Sequence, residues 1–164
     1  DPLDPETRQG ALVSDAHRAK VCGHLDAATA LIGGTADGPF VAPTVVETTP
    51  DTPLATEEIF GPILAVIPVA SFDEAIRVAN DTAYGLCASI FTAHAKRALR
   101  GARMLRAGTV TVNSYGEGDI APPFGGMNMS GFGGRDNGLH AHDQYTQLKT
   151  IWLDLADDAD EAVE

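Results

Sequence analysis

Apolar positions in this chain alternate between short β-branched runs and stripes of helical period. From Ser14, a residue suited to an N-cap, Val21, Leu25, Ala28 and Ile32 recur at helical spacing, which predicts a helix running to Gly33-Gly34. Phe40 to Thr48 is β-branched but interrupted by Pro43, so an irregular or edge strand is expected. Thr56-Glu-Glu-Ile-Phe-Gly-Pro62 reads as a charged-then-apolar turn, and Ile63 to Val69 as a strand buried on both faces. Ser71-Phe-Asp-Glu74 forms a capping box, with Ser71 accepting from the Glu74 N–H and Glu74 reaching back to the Ser71 N–H. The helix that follows ends at Asn80-Asp81. Ala88 to Thr92 is a small-residue strand, and His94 to Arg106 a helix turning Ala95, Leu99, Ala102 and Leu105 inward. Thr109 to Asn113 is a further strand. This βαβαβ rhythm predicts an α/β fold with parallel pairing.

The pattern then collapses. Gly108 to Gly134 reads GTVTVNSYGEGDIAPPFGGMNMSGFGG, a strand followed by a glycine-rich loop with Glu117, Asp119 and Phe124. Open α/β sheets place their sites on loops of this kind, although glycine content alone is equally compatible with a surface loop. Arg135 to Asp143 has the makings of a helical turn, Tyr145 to Leu155 alternates like a strand, and residues 156–164 form an acidic tail.

Composition narrows the classes of function. The 164 residues suffice for one domain, with 44% hydrophobic and 21% charged residues. A net charge of -12 argues against a nucleic-acid partner. No apolar run approaches the roughly 18 residues of a membrane span, so no membrane partner is expected. Asp1-Pro2-Leu3 opens no signal-peptide pattern, and two widely spaced cysteines suit a reducing cytoplasm better than a disulfide framework. Cys22 and Cys87 read as small core residues. The histidines lack metal-ligand spacing, so no metal is expected, and no Gly-x-Gly-x-x-Gly or Walker pattern offers a phosphate cradle.

Two clusters carry candidate chemistry. In Glu57-Glu58-Ile59-Phe60-Gly61-Pro62 a carboxylate stands two residues from an aromatic ring. A carboxylate can accept two hydroxyl bonds from a ribose, and a ring can pack on a flat heterocycle; a surface acidic turn with Phe60 in the core fits the residues equally well. The second cluster is the loop of Glu117, Asp119 and Phe124.

EEIFGPILAV, ANDTAYGLCASIFT, AGTVTVNSYGEGDIAPPFGG with SGFG, and YTQLKTIW together resemble the C-terminal part of the aldehyde dehydrogenase superfamily, in order and spacing over about residues 1–155. NSYGEGD and GGRDNGLHAHDQYTQLKTIW are most similar to the γ-glutamyl-γ-aminobutyraldehyde dehydrogenase branch. The resemblance implies a parallel Rossmann-like sheet over residues 1–144 as part of a catalytic domain, an oligomerisation strand at 145–155, and a homo-oligomer, dimer or tetramer. It implies oxidation of an aldehyde, including an aminoaldehyde, to a carboxylic acid with NAD or NADP: a cysteine thiolate adds to the carbonyl, hydride leaves for the nucleotide, and water hydrolyses the thioester. By the same resemblance Glu58 holds the nicotinamide-ribose hydroxyls, Phe60 and Leu86 lie beside the nicotinamide, and Glu117, Gly118 and Phe124 line the substrate tunnel, so that Asp119 places a second carboxylate beside that of Glu117 near its mouth.

The departures bear on what this chain does alone. The family's catalytic cysteine, general-base glutamate, oxyanion-hole asparagine and cofactor domain have no counterparts here, Ala11 stands where Pro is usual, and Asn128 replaces a common Lys. No catalytic residue is therefore expected in this chain, which reads as an inactive C-terminal piece of the enzyme. A non-catalytic or oligomerisation module is the alternative.

Overall fold

A computed structural model describes residues 3–26, 28–116 and 119–154. Helix α1 (Asp15–Asp26) starts where the sequence indicates, the Ser14 hydroxyl accepting the His17 N–H at 3.2 Å. It stops well before the expected end. Ala30–Ile32 instead forms strand β1, antiparallel to β4 (Thr44–Glu47) with Ala30 opposite Val46 and Ile32 opposite Val45. Ladder bonds to a neighbouring strand outweigh the helical spacing of Ala28 and Ile32, an ordinary tertiary override of a local preference. Gly33 and Gly34, expected to stop the helix, instead follow β1, at φ +79° and +82°.

Strands β2 (Ala36–Asp37) and β3 (Phe40–Val41) make a small antiparallel pair. Pro43 separates β3 from β4 and so costs no ladder bond. β4 is not the edge strand expected from its proline: it is the middle of a three-stranded sheet ordered β1-β4-β5, with Thr44 and Val46 buried. A single-turn helix α2 (Pro53–Thr56) leads to β5 (Ile63–Val66), which runs parallel to β4 from Thr44 opposite Ile63 to Glu47 opposite Val66. β5 is also not covered on both faces, since Leu64 remains 61% exposed.

Helix α3 (Phe72–Asn80) begins at Ser71, whose hydroxyl accepts the Glu74 N–H at 3.1 Å. The reciprocal bond goes one residue further back than expected, from the Ala70 N–H to the Glu74 carboxylate at 2.8 Å. β6 (Cys87–Ile90), α4 (Ala95–Met104) and β7 (Thr109–Val112) complete the alternation, with β6 and β7 parallel. In α4 the buried positions are Ala98 and Gly101, while Leu99 is exposed; small residues let the helix approach Ile90 and Phe72. Asn113, at φ +53°, bonds the Thr92 N–H and carbonyl with its carboxamide and ties the ends of β6 and β7 together.

The parallel rhythm is therefore real, but the sheet is not continuous. β5 pairs with β4 and β6 with β7, and no ladder joins β5 to β6 among the described residues. Leu139–Tyr145 is a 3-10 helix, and residues 146–154 contain no strand, so the alternation from Tyr145 onward has no ladder among the described residues. Leu155 and the acidic residues 156–164 lie outside the described residues. The core cluster joins Val21 of α1, Val41 of β3 and Ile59, with Leu12, Leu25, Leu54 and Ile63 packed around it.

Ser71 is exposed, so its contribution is the cap alone. Ser71→Ala is expected to cost about 1 kcal/mol, lowering the midpoint of thermal unfolding by about 2–4 °C. Circular dichroism melts of the two proteins check this, and an unchanged midpoint would show that the cap bond adds nothing.

Candidate functional site

The segment from Glu57 to Gly61 has its main chain fixed and two of its side chains free. It leaves α2 through a bond from the Glu57 N–H to the Pro53 carbonyl. Ile59 is buried against Val21, which turns Glu58 and Phe60, its neighbours on either side, outward. The Glu58 carbonyl accepts from Lys20 Nζ at 3.0 Å, while its carboxylate has no partner among the described residues. The Phe60 carbonyl accepts from His17 Nε2 at 2.7 Å, and its ring is 76% exposed. Phe60 is therefore not the core residue that an acidic surface turn would require. It adopts φ +55°, a conformation in which a side chain is normally disfavoured. Gly61 sits against fully buried Val21, and Glu57 lies 3.9 Å from His24.

Glu58 and Leu86, far apart in sequence, open onto one cavity of about 530 Å³ that Glu57, Tyr84, Cys87 and Met129 also line. Phe60 does not line it; its ring lies beside the His17 imidazole, with centroids 6.2 Å apart. Leu86 is placed by buried Gly85, whose carbonyl accepts the N–H groups of Gly108 and Met127 and whose N–H donates to the Ser130 hydroxyl. A β-carbon at Gly85 would lie 2.6 Å from the Arg106 carbonyl oxygen. Asn128 accounts for itself locally: it holds φ +53°, which Asn tolerates well, and its carboxamide reaches the Tyr84 carbonyl.

Asp119 and Phe124 share a second, smaller cavity of about 230 Å³ with Gly108, Thr109, Pro122 and Pro123. The Asp119 carboxylate accepts the Ala121 N–H at 2.9 Å, an Asx turn that shapes the loop. Phe124 is fixed by a two-bond bridge to Asp136. Glu117 and Gly118 lie outside the described residues.

Cysteine placement is half as expected. Cys22 packs on the core cluster, but Cys87 is exposed on the wall of the Glu58 cavity. It is the first residue of β6, where alternation does not yet decide which face is covered. His17 and Lys20 were also not legible as site residues. Their one signal was an i, i+3 spacing on a helix, which says nothing about what that face meets.

Residues 1–151 match the aldehyde dehydrogenase family. The chain belongs to that family. An aminoacetaldehyde dehydrogenase of Pseudomonas aeruginosa is 55% identical over 163 residues, which cover 95% of this chain and 33% of that protein. A γ-glutamyl-γ-aminobutyraldehyde dehydrogenase of Burkholderia cenocepacia superposes with a TM-score of 0.85 at 46% identity, covering 90% of this chain and 32% of the other. An indole-3-acetaldehyde dehydrogenase mutant of P. syringae in complex with NAD+ gives 0.88 at 44%, covering 94% and 33%. The chain thus spans about a third of the length of the relatives it matches, and its α/β fold is theirs.

The Glu58 carboxylate, without a partner among the described residues, can accept hydroxyl hydrogen bonds from a diol in the first cavity, whose volume lies within the usual range for small-molecule sites; the exposed Phe60 ring, outside that cavity, can flank a flat ring.

The tightness of the loop on α1 can be tested at Gly61. A β-carbon there would lie 2.8 and 2.9 Å from the two methyls of Val21, a stiff side chain with no exposed surface. Gly61→Ala is expected to cost about 1–3 kcal/mol through overpacking, read from urea unfolding midpoints. A cost below about 0.5 kcal/mol would mean that the loop is free to move off the helix.

Proposed function

We propose that this chain supplies the nicotinamide-facing wall and part of the substrate channel of an NAD(P)-dependent aldehyde dehydrogenase, and oxidises no aldehyde by itself. The observation that carries this reading is the convergence of the Glu58 carboxylate, unpartnered among the described residues, and Leu86 on one cavity, with the exposed Phe60 ring two residues from Glu58. Glu58 accepts the ribose hydroxyls, Phe60 and Leu86 border the ring, and the fixed main chain of residues 57–61 holds them in register. When bound, the nucleotide accepts hydride from the aldehyde carbon. The nucleophile lies elsewhere in this reading: Cys22 packs on the core cluster, and Cys87 opens β6 on the wall of the Glu58 cavity, outside the sequence context of the family's catalytic cysteine.

The surface of the chain supports its acting within a larger body. It exposes 12706 Å², against roughly 7,800 Å² expected of a compact protein of this mass. Leu148, Ile151, Trp152 and Leu153 are all exposed, which favours residues 145–155 pairing with another copy of the chain. Residues 1–144 are then the catalytic-domain part.

Glu58→Gln in the full-length enzyme removes charge assistance from the ribose bonds, worth about 1–2 kcal/mol, and should raise the KM for nucleotide by roughly 5- to 30-fold. The 164-residue chain alone should show no aldehyde-dependent absorbance at 340 nm. An unchanged KM would return Glu58 to a surface turn, and turnover by the chain alone would overturn the division of labour.

The substrate in this reading is an aminoaldehyde, supported by the names of the aminoacetaldehyde and γ-glutamyl-γ-aminobutyraldehyde relatives and by two acids in one short loop. A cation about 5 Å from such acids retains an attraction of about 1–2 kcal/mol after desolvation, or roughly ten-fold in kcat/KM over an alkyl aldehyde of equal length. Replacing Glu117 by Gln and Asp119 by Asn should erase most of that preference. Equal losses on both aldehydes would assign the acids to loop structure, as the Asx turn at Asp119 already does in part.

A further inference from the structure

Phe60 poses a physical question that cofactor contacts do not answer. An aromatic residue at φ +55° with its ring in solvent has no packing of its own to hold it there. What holds it is on α1. His17, Lys20 and Val21, at i, i+3 and i+4, lie on one face of the helix and meet three successive parts of the loop. Lys20 Nζ donates to the Glu58 carbonyl, Val21 packs on Ile59 and Gly61, and His17 Nε2 donates to the Phe60 carbonyl.

We propose that α1 is the seat that sets the cofactor-facing loop, and that His17 is the positioning residue for Phe60. The inference rests on the cofactor reading of Glu58 and Phe60 given above. Ile59 is drawn into the core and Gly61 is pressed on Val21, so the only freedom left between them is rotation of the peptide units around Phe60. The bond from His17 removes that freedom. It requires the proton on Nε2, and the other ring nitrogen, Nδ1, is buried with no partner among the described residues, so among them this bond is the polar hold on the imidazole. The same ring stands 6.2 Å from the Phe60 ring at a 48° tilt and limits how far that ring can swing back. His17 therefore acts through Phe60.

The test has a readout that needs no catalysis. In the nucleotide-free 164-residue chain, amide order parameters of Ile59, Phe60 and Gly61 should stand near the rigid value of about 0.85 and fall below about 0.6 in His17→Ala. His17→Gln should restore them, because a carboxamide N–H can donate to the same carbonyl. In the full-length enzyme, His17→Ala should raise the KM for nucleotide about five-fold, with the KM for aldehyde and kcat at saturating nucleotide within two-fold. Unchanged order parameters, a loss of order spread over the whole chain, or failure of Gln to rescue would each overturn the proposal. Glu58→Gln separates it from the reading beneath it. If that variant raises the nucleotide KM and His17→Ala does not, the seat is wrong and the cofactor site stands. If Glu58→Gln has no effect while His17→Ala still loosens the loop, the seat is real but what it presents is not a cofactor contact, and the positioning role falls.

Discussion

The cofactor-facing loop proposed for this chain depends on one packing contact, that of Val21 on the Ile59–Gly61 stretch. Val21 has no exposed surface and is the centre of the cluster that joins α1, β3 and the loop. Because a β-branched side chain has little rotamer freedom, the contact fixes distance as well as burial. The loop can then carry two outward side chains on a rigid main chain, which is the economy that binding sites on loops require. A carboxylate or ring on a mobile turn would lose most of its binding free energy to ordering; here that ordering is accomplished by the fold.

The two parallel pairs show how much of the architecture is local and how much is not. β4 with β5, and β6 with β7, each form complete ladders, with α2 in the first connection and α4 in the second. Between β5 and β6 there is no ladder among the described residues. The Glu58–Leu86 cavity draws one wall from the segment leading into β5 and another from the start of β6, so the interruption in pairing and the candidate site occupy the same part of the molecule. Strand ends that are not consumed by pairing are free to present side chains and backbone to a ligand or to further protein.

Elsewhere the chain is held by side-chain clamps on main chain, not by depth of core. Asn80 bonds the Met104 carbonyl and the Arg106 N–H, Asn113 grips Thr92, and Gly85 collects bonds from three directions. These clamps lie at the ends of helices and strands. They fix where the Tyr84–Leu86 turn and the Gly108–Gly126 segment meet, and hence where Leu86 stands.

Local chemistry was readable from the residues. The Ser14 and Ser71 caps and the direction of the βα alternation follow from interactions within a few positions of chain, and the family is carried by ordered motifs such as EEIFGP and GTVTVNSYGEGD. What tertiary structure decided was adjacency. Ala30–Ile32 became strand because β4 was beside it, β4 became central despite Pro43, Leu99 faced solvent because Gly101 let α4 approach by another face, and Cys87 opened onto a cavity. The grip of His17 and Lys20 on the loop belongs to the same class, because a spacing of three on a helix specifies a shared face but not what that face will touch. Periodicity encodes which side of an element is apolar; only the packed chain, with its long-range contacts paid in loop-closure entropy, selects the neighbour.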